Sequence, residues 1–150
     1  KEIEVAIPAG VEDGMRLRVR GEGQLGDVSG QTGDLYVEMH YAENKYFLVE
    51  GRNVEITIPI SFSQAVLGDE IEVPTIDSKA DLIIPAGTNS ETIFRMKGKG
   101  LPSVHGNVSG DQMVKVRIEV PRKLSKKQAE ILKQFAEEKP SESFLKKIFG

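Results

Sequence analysis

The sequence predicts a mainly β fold, with two copies of one β-unit in tandem and a helical segment after them. Three observations carry that prediction. The first is an internal repeat. Ile7-Pro8-Ala9-Gly10 returns as Ile84-Pro85-Ala86-Gly87, a shift of 85 − 8 = 77 positions. At the same shift Arg18 meets Arg95, Gly21 and Gly23 meet Gly98 and Gly100, Gly33-Asp34 meets Gly110-Asp111, and Val37 meets Val114. A repeat held in one register without a gap fixes the architecture before any motif is considered. The second observation is a period of two in most apolar runs, the mark of half-buried strands. The third is a change of character after Pro121, where helical spacing takes over.

Taken in order, Ile3, Val5 and Ile7 alternate with Glu4 and Ala6. Leu17 and Val19 alternate with Arg16, Arg18 and Arg20. Leu35, Val37 and Met39 share one face, opposite Tyr36, Glu38 and His40. Val54, Ile56, Ile58 and Ile60 make one long alternating run, and Val114, Val116, Ile118 and Val120 make another. Glycine-rich turns join them at 21–33 and 98–110, where glycine reaches backbone angles that other residues resist. Ser61-Phe62-Ser63-Gln64 has the spacing of a capping box and Gly68 supplies a stop, so a short helix is expected between them. The second β-unit then runs from about Asp69 to Pro121.

Ser125 and Gln128 form a second capping box, with Leu124 and Ala129 placed as a hydrophobic staple. Ala129, Leu132, Phe135 and Ala136 keep helical spacing until Pro140 ends the run. The closing segment, with Phe144, Leu145, Ile148 and Phe149, is too short to bury four large apolar side chains by itself. It is expected to dock on another surface, most economically a second copy of the chain.

The bulk properties narrow the function classes. With 39% hydrophobic and 29% charged residues, a packed core is expected over 150 residues. The net charge of −3 is spread among interspersed charges, which argues against nucleic acid or an anionic membrane as the main partner. There is no cysteine, which excludes thiol chemistry and cysteine-ligated zinc in these residues. No apolar run approaches the roughly 20 residues of a membrane span, no segment resembles a signal peptide, and a cytoplasmic location is expected.

No catalytic or metal-ligating set emerges. Gly21-Glu22-Gly23-Gln24-Leu25-Gly26 matches the dinucleotide fingerprint, but more loop follows it instead of a helix N-terminus. Lys97-Gly98-Lys99-Gly100 lacks the spacing of a phosphate-binding loop. His40 and His105 have no second ligand at metal spacing. Asp34 and Asp111 occupy equivalent repeat positions and suggest paired carboxylates as in a glycosidase. Each follows a glycine at the start of a strand, though, where aspartate commonly accepts from local backbone donors. Asn107-Val108-Ser109 is a glycosylation sequon by pattern only. What remains is apolar surface on strands, and that points to binding rather than to an enzyme.

The stretch from Val5 to Gly23 closely resembles the DnaJ family of J-domain co-chaperones. So do Gly33-Asp34-Leu35-Tyr36-Val37, Ala65 to Thr75, and Phe94 to Gly100. The resemblance extends through Gly110-Asp111, Pro121 and the Leu124–Phe135 segment to Ser143-Phe144-Leu145-Lys146-Lys147. It implies two β-sandwich-like domains, the first incomplete at 1–48 and the second at 49–122. A helical dimerisation segment would follow at 123–150, with Leu132, Phe135, Phe144, Leu145, Ile148 and Phe149 at the homodimer contact. The implied partners are unfolded polypeptides and a DnaK-type ATP-driven chaperone. Zinc is implied only for the cysteine-rich module of the zinc-finger subgroup, whose cysteines are absent here, so no cofactor is expected in these residues.

The family's peptide groove maps onto Ile3 and Val37, with Val5 and Leu35 as same-face neighbours. An extended peptide would dock there as an added strand. The resemblance also implies that the sequence starts midway through the first β-domain, with the other wall of the groove contributed by residues before Lys1. Asn44 stands where the family usually carries His, at a turn position that suits asparagine. A purely structural module that dimerises and spaces other domains is the alternative reading.

Overall fold

The computed structural model describes residues 1–26, 30–106, 108–138 and 142–149, with the backbone alone described for 142–145. Among these residues eight strands and three helices follow one another: β1 (Arg16–Val19), β2 (Leu35–Glu38), β3 (Phe47–Glu50), β4 (Asn53–Ile60), α1 (Phe62–Leu67), β5 (Asp69–Pro74), β6 (Lys79–Ile84), β7 (Ile93–Met96), β8 (Gln112–Ile118), α2 (Lys126–Glu137) and α3 (Glu142–Phe149). The chain forms two compact units, 1–119 and 120–150. The fold is mainly β, as the period-two runs require.

In the first unit β1 pairs with β2, β5 pairs with β6, and β3-β4-β8-β7 make a four-stranded sheet. The central pair β4–β8 is parallel, in the register Val54↔Gln112 to Ile60↔Ile118, and α1 lies in the crossover between the two strands. Parallel strands at the centre of a sheet read as dense aliphatic runs because both faces are covered. Ile56, Ile60, Val114 and Val116 accordingly join Ala65, Val73 and Ile84 in one buried cluster. Each such aliphatic side chain, fully buried, contributes about 1.5–3 kcal/mol. The expected boundary after residue 48 falls inside β3, which pairs with β4 over all four of its residues.

Both capping boxes form. Gln64 N donates to Ser61 Oγ at 3.1 Å while Ser61 N donates to Gln64 Oε1 at 2.9 Å. Ser125 and Gln128 repeat the arrangement at 3.1 and 3.0 Å. Gly68 closes α1 with φ +80°, its N–H on Gln64 O.

The repeat survives down to the hydrogen bond. The β1–β2 register Arg16↔Glu38 to Val19↔Leu35 becomes Ile93↔Lys115 to Met96↔Gln112 in β7–β8, a shift of 77 on both strands. Gly23 N donates to Gly33 O, and Gly100 N to Gly110 O, each at 2.8 Å. Gly14 sits at φ +78° with its N–H on Met39 O, and its counterpart Glu91 sits at φ +68° with its N–H on Val116 O. A left-handed angle is costly for glutamate. Here the ion pair of Glu91 with Arg117, 2.7 Å, helps to hold it.

Two expected strands differ from observation. Residues 1–8 pair with no strand among the described residues, although Ile3 and Val5 stay half-buried between exposed neighbours. Their counterparts in the second copy, 79–84, form β6 by pairing with β5. The positions 77 before β5 precede Lys1, so alternation at 3–7 meets no such ladder here. For the same reason Ile7 is 67% exposed where its counterpart Ile84 is 1% exposed. At the other end β8 stops at Ile118, and Val120 lies outside it and is exposed.

Candidate functional site

The two faces of the β1–β2 pair divide cleanly. Arg16, Arg18, Tyr36 and Glu38 are exposed, while Leu17, Val19, Leu35 and Val37 are half-buried. On the apolar face Leu17 stands opposite Val37 and Val19 opposite Leu35. Cross-strand aliphatic pairs of this kind are the unit of sheet stabilisation. In the second copy the same positions are core: Gln112, Val114 and Val116, the counterparts of Leu35, Val37 and Met39, have no exposed surface. In the second copy β8 is also paired with β4, and the positions 77 before β4 precede Lys1.

Of the sequence-derived groove residues, Leu35 and Val37 lie together on that face. Ile3 and Val5 are half-buried on the unpaired segment before it, and no ladder joins them to β2 among the described residues. The dimerisation candidates lie in the second unit. Leu132 and Phe135 on α2 and Ile148 and Phe149 on α3 are exposed within it, whereas the side chains of Phe144 and Leu145 lie outside the described residues. Sequence reasoning missed Ile131, which is as exposed as these. Its single offset from the Leu132 position was the available signal, since a wide apolar stripe covers adjacent positions.

Asp34 and Asp111 act alike. Each accepts from an arginine Nε (Arg18 at 2.5 Å, Arg95 at 2.6 Å) and from a glycine N–H (Gly21 at 3.0 Å, Gly98 at 2.9 Å). The glycine N–H first and the arginine second hold both carboxyls below the ordinary aspartate range. A glycosidase acid needs the opposite, a carboxyl pushed upward. Each aspartate is the anchor of the turn in its own copy, and the paired-carboxylate idea falls. Asn107 of the sequon lies outside the described residues, as does the loop after Gly26. Among the described residues no cluster of three acidic, histidine or cysteine side chains can hold a metal ion.

The joint between β2 and β3 is built with similar care. Asn44 Oδ1 accepts from Tyr46 N at 2.8 Å and Phe47 N at 3.1 Å, an Asx turn that explains why asparagine serves there. Tyr41 donates its hydroxyl to Val11 O at 2.6 Å and its N–H to Asp13 Oδ1 at 2.7 Å. Burial first, then the carboxylates of Glu12 and Asp13, raise its phenol above the ordinary value.

The DnaJ C terminal domain family matches residues 1–121. Proteins named chaperone protein DnaJ are similar over most of the chain. That of Brevibacillus choshinensis is 50% identical over 145 residues, which is 95% of this chain and 39% of the relative. That of Clostridioides difficile is 46% identical over 151 residues, 100% of this chain and 39% of the relative. The chain spans about two fifths of the length of these relatives.

Proposed function

The chain belongs to the DnaJ C-terminal domain family, and on that premise we propose that it binds exposed apolar segments of unfolded proteins for delivery to a DnaK-type chaperone in the cytoplasm. The observation that carries the reading is the apolar side of β1–β2, where Leu17, Val19, Leu35 and Val37 lie together within the residues that match the family. A segment in extended conformation would lie along it with Ile3, Val5, Leu35 and Val37. Its backbone would supply sequence-tolerant hydrogen bonds, and an apolar side chain would cover the open surface. No catalytic step is required of this chain.

Substituting Ile3→Asp together with Val37→Asp should lower affinity for an unfolded polypeptide at least tenfold, because each change puts a charge where apolar surface must be covered. Thermal unfolding of the same variant separates a lost groove from a lost fold. Ile3→Asp alone, on the segment outside any ladder, should reduce binding with an unchanged melting midpoint. Unchanged binding by both variants would remove the groove from consideration.

Two copies would meet through the amphipathic α2 and α3, with Leu132, Phe135, Phe144, Leu145, Ile148 and Phe149 at the contact. Such a dimer presents two binding arms to one substrate, which raises avidity without new contacts. Sedimentation equilibrium at about 50 μM, an order suited to a modest interface, should give twice the chain mass. A monomer throughout would count against the paired arrangement.

A further inference from the structure

Between the turn before β1 and the strand β3 lies a cleft of about 570 Å³, with Glu12, Asp13, Tyr41, Glu43, Leu48 and Val49 among its lining residues. Among the described residues no lysine or arginine lines it. The nearby cations are engaged elsewhere: the Lys45 ammonium lies 5.9 Å from the centre of the Tyr46 ring, and Arg52 Nη1 donates to Val108 O at 3.0 Å. His40 Nδ1 stands 3.5 Å from Asp13, whose carboxylate is also held by Tyr41 N. The carboxylates of Glu12 and Glu43 carry no ion pair among the described residues, so the negative charge of the cleft is largely uncompensated. Burial first, then the carboxylates of Glu12 and Asp13, raise the Tyr41 phenol in this cleft.

The wall of the cleft is an open sheet edge. Among the described residues β3 is the terminal strand of its sheet and pairs only with β4. Phe47 N–H turns away from β4 to Asn44 Oδ1. Inward and outward groups alternate along an antiparallel pair, so Val49 N–H, Val49 C=O and Phe47 C=O point outward as well. Beside this edge Leu48 is 70% exposed and Val49 is 40% exposed. An open edge with apolar side chains is a template for a further strand. Its charge states which strand it favours.

We propose that this cleft binds an extended peptide segment in which lysine or arginine alternates with aliphatic residues, added as a strand along β3. The inference rests on the reading that the chain binds extended segments, and it supplies a second, charge-selective contact apart from the β1–β2 face. The aliphatic side chains, which share one face of the added strand, would cover the apolar surface on one face of β3, and the cations would neutralise Glu12 and Glu43.

Three labelled nine-residue peptides, alternating valine with lysine, with serine or with glutamate, test it by fluorescence anisotropy on the full chain. The lysine peptide should bind at least tenfold more tightly than the glutamate peptide at low salt. Glu12→Gln with Glu43→Gln should erase that preference while leaving the melting midpoint unchanged, since neither carboxylate is paired. Val49→Pro, which removes one outward N–H at an edge that tolerates proline, should weaken the lysine peptide severalfold. Equal binding of lysine and glutamate peptides, or a preference that persists in the double variant, would overturn the proposal. If the serine peptide binds and is lost with Ile3→Asp while lysine adds nothing, only this inference fails. If no peptide binds at all, the broader reading fails with it.

Discussion

Gly110→Ala is expected to lower stability by about 3 kcal/mol, the upper part of the range for overpacking a rigid site, and so the melting midpoint by roughly 10 °C. Gly33→Ala, at the equivalent repeat position, is expected to change little. A Cβ at Gly110 would stand 2.1 Å from Arg52 O and 2.4 Å from Arg52 C, which is backbone and cannot swing aside. Arg52 O already accepts from Leu101 N at 2.8 Å, so moving it breaks a turn that Gly110 N also closes through Leu101 O. At Gly33 the nearest atom is Gln24 O at 3.5 Å, ordinary contact. Neither glycine has a left-handed φ, so the pair differs in close approach alone. The β3–β4 hairpin presses on the second copy of the turn, and among the described residues nothing approaches Gly33 as closely. Thermal melts of the two variants check this directly, and equal losses would mean that the turn itself requires glycine.

The second large effect is expected at Gln112, which has no exposed surface and donates Nε2 to Pro74 O at 2.8 Å. Its Oε1 is buried without a partner among the described residues. Gln112→Glu keeps the shape but places a carboxylate against the Pro74 carbonyl, an uncompensated buried charge worth about 4 kcal/mol. Burial and that carbonyl push the introduced carboxyl upward from its unfolded value of about 4.3. A group whose folded value is raised by burying its charged form costs nothing below the unfolded value. Its penalty grows as pH rises through to the folded value. Relative to wild type, the variant should therefore be close to normal near pH 4.5, where the protonated acid can donate to Pro74 O, and strongly destabilised at pH 7.5. Gln112→Leu, which copies Leu35 of the first repeat, should cost about 1–2 kcal/mol at either pH, because it only leaves the Pro74 carbonyl unpaired. Denaturant unfolding at the two pH values distinguishes the cases.

These residues also mark what sequence could and could not tell. The shift of 77 carried the strand registers, the Asp34 and Asp111 anchors and both turns, because each depends on contacts within one repeat copy. Both capping boxes were legible for the same reason: the partners are three residues apart. The strand expected at 3–7 does not form among the described residues, since alternation records only a willingness to pair and a partner strand must supply the ladder. Gln112 looked like any strand residue, and its burial follows from β4 and β5, far away in sequence. The cleft beside β3 arises where residues 12–13 and 41–51 meet, and no single window of sequence contains both. The apolar side of β1–β2 was legible as alternating strand positions.

The binding of a labelled, permanently unfolded polypeptide to the full chain, followed by fluorescence anisotropy, tests the central claim most directly. Saturable binding in the micromolar range (about −8 kcal/mol) is expected, with none to the same polypeptide when folded. A flat titration up to roughly 100 μM would contradict it and leave the chain as a dimerising spacer whose apolar face serves some other contact.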